Sequence, residues 1–243
     1  VDGVQKLFVK GAYEELKKMA INSDKFNELE KSLTNMAENG LRVIAVGVGE
    51  GPSKSPRSWK LEIVGLIGFL DPPKKEVKES ISIAKKAGIK VIMITGDDPL
   101  TAKAIAGEVG IWEESNQLLT GMQIEEIDDK ELFKKLKNTT VLARILPEHK
   151  HRIVRVLQEN GEIVAVTGDG VNDVPALKIA DLGIAMGSGT EAAKGVSKMV
   201  ILDSNLKVIV EAIKMGRVIA DNIRKVIYYL LSTAIQELLL VSF

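Results

Sequence analysis

The chain has 243 residues, 45% of them hydrophobic, which is enough for one large globular domain or two smaller ones with packed cores. Lysine plus arginine and aspartate plus glutamate each number 33, so no charge excess favours nucleic acid as the main partner. The absence of cysteine excludes disulfides, a thiolate nucleophile and cysteine metal sites.

Up to about residue 58 the sequence mixes strand and helix patterns. Gly40 follows a helical pattern and suits a helix C-terminus, and the apolar stretch after it, which contains Arg42, is typical of a strand. The predicted elements of this part are a strand at residues 7–9, helices at 14–19 and 26–39, and a strand at 41–46.

Residues 47–55 superficially resemble a phosphate-binding loop. That loop needs glycine directly before its lysine, but Ser53 precedes Lys54, and the nearby Pro52 and Pro56 oppose the helix that must follow. The sequence therefore predicts an exposed turn between strands.

From residue 61 onwards apolar strands alternate with helices, which is typical of a parallel sheet with right-handed crossovers. Asp71, Pro72 and Pro73 form a stiff corner after the first strand. The predicted strands are residues 61–70, 90–94, 140–143, 163–166, 182–185 and 199–202. The predicted helices are residues 74–87, 99–109, 124–137, 147–160 and 191–196, with a polar loop at 112–122. We therefore expect an α/β fold with a doubly wound, mainly parallel sheet.

A glycine-rich corner, residues 167–177, follows the apolar run at 163–166. Gly168 and Gly170 permit a tight turn, and Pro175 fits the first turn of the next helix. Asp169 then lies at the carboxyl end of a strand and Asp173 at a helix start, where they offer hard oxygen ligands to Mg²⁺. The alternative is an ordinary strand–helix turn in which aspartate and asparagine act only as caps.

A second glycine–aspartate corner, Thr95-Gly96-Asp97, also follows an apolar strand. The hydroxyl of Thr95 and the amide of Gly96 can hold phosphoryl oxygens while Asp169 holds the metal that neutralises them. Lys150 lies one turn into the helix that Pro147 opens, so its ammonium can reach the same phosphate; the alternative is a solvated surface lysine.

Residues 205–243 contain no helix breaker except Gly216, so about 39 residues can form one helix roughly 58 Å long. The first half is amphipathic, whereas residues 226–243 contain Glu237 as their only charged residue. Basic and tyrosine residues stand where this apolar part begins, which is typical of the cytoplasmic end of a membrane span. The alternative is a buried terminal helix of a soluble protein.

These residues resemble the haloacid dehalogenase superfamily, in which a threonine, a lysine and a glycine–aspartate element surround a nucleophilic aspartate. Several stretches also occur in the order found in P-type cation-transporting ATPases, in the branch that includes calcium and sodium/potassium pumps. They are KGA at 10–12, DPP at 71–73, MITGD at 93–97, TGDGVNDVPAL at 167–177 and GSGT at 187–190. The resemblance covers essentially the whole chain.

The resemblance implies three parts. Residues 1–58 are similar to the later part of an α+β nucleotide-binding domain, residues 59–204 to a phosphorylation domain, and residues 205–243 to a stalk and the start of a transmembrane helix. The corner at Asp71 resembles the hinge between the two cytoplasmic domains. The full-length protein is then a multi-pass membrane protein with residues 1 to about 225 on the cytoplasmic side.

The resemblance also implies roles for individual residues. Lys10 would line the adenine pocket, Arg42 would contact a nucleotide phosphate and Arg144 would lie near the ribose. The residues implied to hold or support the phosphoryl group are Thr95, Gly96, Asp97, Lys150, Asn172 and Asp173. Asp169 would bind Mg²⁺, and Glu237 would be a ligand of the transported cation, with Ca²⁺ as the first expectation although Ala234 replaces a typical asparagine. The implied partners are ATP, the cation and the membrane, and not nucleic acid.

The chain departs from the family in one respect, because the DKTGT element that supplies the phosphorylated aspartate is absent. The chain also begins at Val1 and stops within an apolar run, so we expect a segment of a longer protein that is inactive alone. Two alternatives remain: a soluble haloacid dehalogenase-type phosphatase and a non-catalytic nucleotide-binding module.

Overall fold

The computed structural model of the chain describes residues 6–50, 59–70, 72–203 and 205–242. The predicted corner residue Asp71 and residues 51–55 of the predicted turn lie outside the described residues. The described elements form one antiparallel sheet, two parallel sheets with flanking helices, and a long terminal helix.

The amino-terminal sheet is antiparallel, with β2 in the centre. Its elements are β1 (Lys6–Gly11), α1 (Tyr13–Lys17), α2 (Phe26–Glu38), β2 (Arg42–Glu50) and β3 (Leu61–Phe69), with a short 3-10 turn at Ser23–Lys25. The core of this part is a cluster of buried side chains from the first helix and the two longer strands: Tyr13, Leu16, Ala45, Leu61 and Ile63. Burying this apolar surface holds α1 against the sheet.

Two sequence predictions for this part are wrong. Residues 47–50 belong to β2 and not to a turn, because the strand continues through Gly47 and Gly49, both buried. A side chain at Gly49 would lie 2.7 Å from the carbonyl oxygen of Lys60, so glycine here serves close packing within a strand. β3, which the pattern assigned to the parallel sheet, pairs antiparallel with β2. An apolar run specifies a strand but not its partner.

The rest of the described chain contains two three-stranded parallel sheets. The first has the order β4-β6-β5 and consists of β4 (Met93–Ile94), β5 (Gln117–Thr120) and β6 (Thr139–Ala143). The second has the order β7-β8-β9 and consists of β7 (Ala165–Gly168), β8 (Leu182–Met186) and β9 (Met199–Ile201). The helices are α3 (Lys75–Lys86), α4 (Pro99–Glu108), α5 (Gly121–Glu125), α6 (Asp129–Leu136), α7 (Pro147–Glu159), α8 (Val174–Ile179) and α9 (Glu191–Val196). The alternation of strands and helices confirms the predicted α/β fold.

The predicted loop at 112–122 and single helix at 124–137 are wrong. The loop contains β5, and the helix is divided into α5 and α6. Thr120 caps α5 in a capping box with Gln123, and the Asp128 carboxylate accepts the Glu131 N–H at 2.8 Å, which starts a new helix. β5 is too short to show a periodic pattern, so its pairing with β6 decides its conformation.

β4 and β7 each have a strand neighbour on one side only within the described residues. Ile163, just before β7, is 90% exposed, and Ala165 and Thr167 within β7 are also exposed. Strands of parallel sheets are normally buried on both faces, so this edge is unusual. The two sheets are linked through α7 and α8, where Val154 packs in one cluster with Ala176.

The terminal helix α10 (Leu206–Ser242) has 37 residues and packs against α3 near its start. Its apolar window has a mean hydropathy of 1.2 and no part of it is buried. Within the described residues it is the one helix long and apolar enough to cross a membrane. The predicted long apolar helix is therefore present.

Candidate functional site

The corner after β7 is shaped by the approach of Asp173 to Gly168. The Asp173 carboxylate folds back over the turn, where its Oδ2 accepts the Asp169 N–H at 3.3 Å and the Gly170 N–H at 3.2 Å. A Cβ added at Gly168 would lie 2.5 Å from the Asp173 Cβ, so no side chain fits there. Position 168 therefore needs glycine because there is no room for a side chain. From the sequence alone, this glycine is instead explained by the backbone freedom that a tight turn needs.

Asp169 and Asn172 are exposed at this corner. The Asp169 backbone is fixed, because its carbonyl oxygen accepts the Thr190 N–H at 2.8 Å. Its carboxylate has no side-chain partner within the part of the chain that the structure describes. Among the residues that the structure describes, no three histidine, aspartate or glutamate side chains form a group that could hold a metal ion. One free carboxylate on a fixed backbone suits Mg²⁺, which commonly takes one or two protein carboxylates together with phosphate oxygens and water.

Lys150 connects this corner to α7. Its Nζ donates to the Asp173 Oδ1 at 2.6 Å, and the two side chains are 19% and 14% exposed. Lys150 is the fourth residue of α7, and this ion pair joins the start of α7 to the corner after β7 in the second parallel sheet. The lysine is therefore not the solvated surface residue of the alternative interpretation.

The corner after β4 is held by side-chain and backbone hydrogen bonds. The Thr95 hydroxyl donates to the Asp97 Oδ2 at 2.8 Å, and the Asp97 N–H donates to the Thr95 Oγ1 at 3.1 Å. Asp98 caps α4 by accepting the backbone N–H groups of Leu100 and Thr101, and Gly96 is exposed. The turn thus presents a hydroxyl and a backbone amide at the carboxyl end of β4.

The corner after β6 joins the two others. The Ile145 N–H donates to the Thr95 carbonyl oxygen at 3.0 Å, and the Arg144 N–H donates to the Asp97 carbonyl oxygen at 3.0 Å. The same segment continues into α7 and Lys150. The structure therefore brings the predicted phosphate and metal residues to one edge of the two parallel sheets.

Two of the three predicted nucleotide residues lie beside this edge. The Arg42 Nε is 3.6 Å from the Asp97 Oδ1, with the arginine side chain 77% exposed. The Arg144 Nη2 donates to the Glu14 Oε1 at 3.3 Å, which connects α1 to the same edge. Lys10 is exposed on β1, and no hydrogen bond or ion pair of the described residues joins it to the others.

Glu237 lies apart from all of these residues. It is exposed on α10, roughly 46 Å along the helix from its first residue, Leu206. The structure therefore separates the predicted cation ligand from the phosphate and metal residues.

His149 and Glu125 also belong to this edge and were missed from the sequence. His149 is the third residue of α7, and its ring connects the helix start to α5 through Glu125. The position of His149 in the helix could have indicated its role. A polar residue at the third position of a helix that begins with proline suits a capping interaction.

Comparisons with known proteins agree with this arrangement. A protein-family model described as haloacid dehalogenase-like hydrolase matches residues 5–181. A calcium-transporting ATPase of Bacillus subtilis (strain 168) is 45% identical over 222 residues, which cover 89% of this chain and 25% of that protein. Calcium-transporting ATPase 1 of Lactococcus lactis is 48% identical over 183 residues, which cover 75% of this chain and 21% of that protein. Human calcium-transporting ATPase type 2C member 1 is 36% identical over 247 residues, with coverages of 97% and 26%. The chain thus spans about a quarter of the length of these relatives.

Proposed function

The chain belongs to the haloacid dehalogenase-like hydrolase family, and on that premise we propose that it is the phosphate- and metal-holding segment of an ATP-driven calcium pump. In this proposal the whole protein hydrolyses ATP through an aspartyl-phosphate and moves Ca²⁺ across a membrane. The chain supplies the supports for that chemistry, and the phosphorylated aspartate comes from another segment.

The observation that carries the proposal is the junction of three strand ends. The Lys150–Asp173 ion pair and the hydrogen bond from Ile145 to Thr95 bring these ends together across two sheets. Ligands of open α/β folds bind beyond the carboxyl ends of the strands, so the junction is the expected place for a phosphoryl group.

The roles proposed for these residues follow from their chemistry. The Thr95 hydroxyl and the Gly96 amide bind phosphoryl oxygens, and the Lys150 ammonium neutralises their charge. Asp169 binds Mg²⁺, which when bound would offset negative charge on the phosphoryl oxygens. Asp173 orients Lys150 and the Asp169 backbone, Asn172 supports the same corner, and Asp97 holds the Thr95 hydroxyl in place.

The absent aspartate has a natural place between β4 and β7. Within the described part of the chain both strands have a strand neighbour on one side only, and polar corners follow both of them. A parallel strand inserted there would cover the exposed β7 and present its own carboxyl end between Thr95 and Asp169. Its aspartate would attack the γ-phosphorus of ATP, releasing ADP and forming an acyl phosphate that water later cleaves to carboxylate and inorganic phosphate.

The remaining proposals concern nucleotide, domains and membrane. Arg42 and Arg144 contact the nucleotide at the phosphate edge, and Lys10 lines the base pocket. The proposed domains are residues 1–58 for the later part of the nucleotide-binding domain, 59–204 for the phosphorylation domain and 205–243 for the stalk and membrane helix. In the full-length, multi-pass protein residues 1 to about 225 lie on the cytoplasmic side, and Glu237 of the membrane helix is a Ca²⁺ ligand.

The proposal is tested by reconstituting the pump from two pieces. The chain is produced alone and together with the remainder of its natural protein, and each preparation receives Mg²⁺ and ATP labelled at the γ-phosphate. We expect no turnover from the chain alone. The combined preparation should show calcium-stimulated turnover and an acid-stable, hydroxylamine-sensitive phosphoryl group on the other piece.

Two results would contradict the proposal. Acid-stable phosphorylation of the chain by itself would show that the nucleophile lies within it. Hydrolysis of a small phosphate ester such as p-nitrophenyl phosphate by the chain alone would instead support a soluble phosphatase.

A further inference from the structure

His149 is a buried polar side chain next to Lys150, and the proposed chemistry does not use it. The residue is 5% exposed. Its Nδ1 accepts the Leu146 N–H at 3.2 Å, and its Nε2 lies 2.8 Å from the Glu125 Oε1. Because Nδ1 accepts, the proton of the neutral ring lies on Nε2, which donates to the Glu125 carboxylate. The ring thus uses both nitrogens to join the first turn of α7 to the end of α5.

The contact between α5 and this turn is close. A Cβ added at Gly121, the first residue of α5, would lie 2.3 Å from the Arg144 carbonyl oxygen and 2.8 Å from the His149 Nδ1. The start of α5 therefore packs directly on the segment that precedes α7, and only glycine fits there. Because Gly121 at one end of α5 and Glu125 at the other both contact residues 144–149, this helix supports that segment.

The segment needs this support because its backbone is strained. Arg144 has a φ of 54°, the one positive value among the described residues other than glycine. Such a conformation costs free energy and persists where surrounding contacts determine it. The contacts are the Arg144 N–H bond to Asp97 on one side and α5 on the other.

We propose that His149 is a positioning residue that holds segment 144–150 in the geometry that presents the Lys150 ammonium to the phosphoryl site. It does so by satisfying the Leu146 N–H at the start of α7 and by tying that turn to Glu125. The inference deepens the proposed function, since it rests on the role given there to Lys150. His149 does not touch the phosphoryl group; it acts through the backbone that carries Lys150.

The test measures how well Lys150 is held, in the full chain and without ATP. The rate of Lys150 acetylation by an amine-reactive ester is followed by mass spectrometry and divided by the rate at Lys178, which is exposed. An ammonium held in an ion pair at 19% exposure reacts slowly, and release of the segment accelerates the reaction. For His149→Ala we expect an increase of about tenfold, which corresponds to about 1.4 kcal/mol.

Two further variants separate positioning from loss of bulk. His149→Gln retains an acceptor for the Leu146 N–H and a donor for Glu125, so we expect its rate to stay within about twofold of the original. His151→Ala, a half-buried neighbour on the same helix, should leave the Lys150 rate unchanged. An unchanged rate in a folded His149→Ala variant, or an equal increase in His151→Ala, would overturn the proposal.

Glu125→Ala covers the case in which His149→Ala does not fold, because Glu125 is largely exposed while its partner stays in place. We expect a smaller increase in the Lys150 rate, and recovery with Glu125→Gln. No increase in Glu125→Ala would overturn the tie to α5. These measurements need no ATP hydrolysis. Their outcome therefore does not depend on whether the pump can be reconstituted from two pieces.

Discussion

The ion pair between Lys150 and Asp173 should be worth more than a surface ion pair, and a double-mutant cycle can measure the difference. Asp173 accepts three hydrogen bonds, one from the Lys150 Nζ and two from the Asp169 and Gly170 backbone. Asp173→Ala removes all three and leaves a half-buried ammonium unpaired, so we expect the free energy of unfolding to fall by about 3 kcal/mol.

Lys150→Ala should cost less, because Asp173 retains its two backbone partners. We expect a fall of about 1.5 kcal/mol for one charge-assisted hydrogen bond, and a coupling energy of about 1 kcal/mol in the double variant. The low exposure of both side chains is the reason for placing the coupling at the upper end of the range of about 0–1 kcal/mol that exposed pairs show.

The assay is denaturant unfolding followed by the fluorescence of the two tryptophans, Trp59 and Trp112, in a detergent that covers the apolar part of α10. The matched control is the exposed Lys18–Glu15 pair, at 2.6 Å with side chains 68% and 65% exposed, for which we expect a coupling below about 0.5 kcal/mol. A coupling at Lys150–Asp173 no larger than the control value would refute the reasoning, as would a larger loss for Lys150→Ala than for Asp173→Ala.

Two further substitutions test the corner after β7 and the contacts of Asp181, which follows α8, with Val164 and Gln158. Gly168→Ala should lower the free energy of unfolding by about 2 kcal/mol, because its Cβ would displace Asp173 from a distance of 2.5 Å. The pKa of Asp181 is lowered from its ordinary value of 3.8, first by the Val164 N–H and then by Gln158, so its carboxylate stabilises the fold above about pH 4. The stability difference from Asp181→Asn should therefore shrink as the pH falls through the folded pKa, measured by urea unfolding between pH 7 and 3.

Each of these substitutions has a clear contrary outcome. Gly170→Ala is the control for Gly168→Ala, since its Cβ would be an ordinary 3.6 Å from the Asp173 Oδ2, and equal losses at both glycines would contradict the steric argument. A difference for Asp181→Asn that stays constant over the acid range would show that the carboxylate charge does not contribute.

Elements that are long, or whose first residue is marked by proline, could be predicted from the sequence, and short ones could not. Pro147 and the apolar spacing behind it define α7, and the β-branched and apolar residues of β6 match a strand that is buried along its whole length. β5 is different, because Leu118 and Leu119 become a strand only by pairing with β6. β3 was found in the right place with the wrong partner, since burial and pairing direction are separate pieces of information.

The site shows the same division between local and distant information. The corners of Thr95 and Asp169 each consist of consecutive residues that directly follow an apolar strand, so their positions at strand ends could be predicted. The bond between His149 and Glu125 joins residues 24 apart across a turn whose helix division was itself not predicted. The approach of Asp173 to Gly168 was also missed, because glycine patterns do not say whether space or backbone freedom requires them.

The residues proposed to support the phosphate site contact one another within the described part of the chain. Lys150 forms an ion pair with Asp173 of the corner after β7, and the Thr95 carbonyl oxygen accepts a hydrogen bond from the Ile145 N–H. A preformed set of supports lowers the cost of binding the phosphoryl group, because its charged groups need little rearrangement. In the proposed function, a further parallel strand would complete the phosphate site between β4 and β7, each of which has one strand neighbour within the described residues.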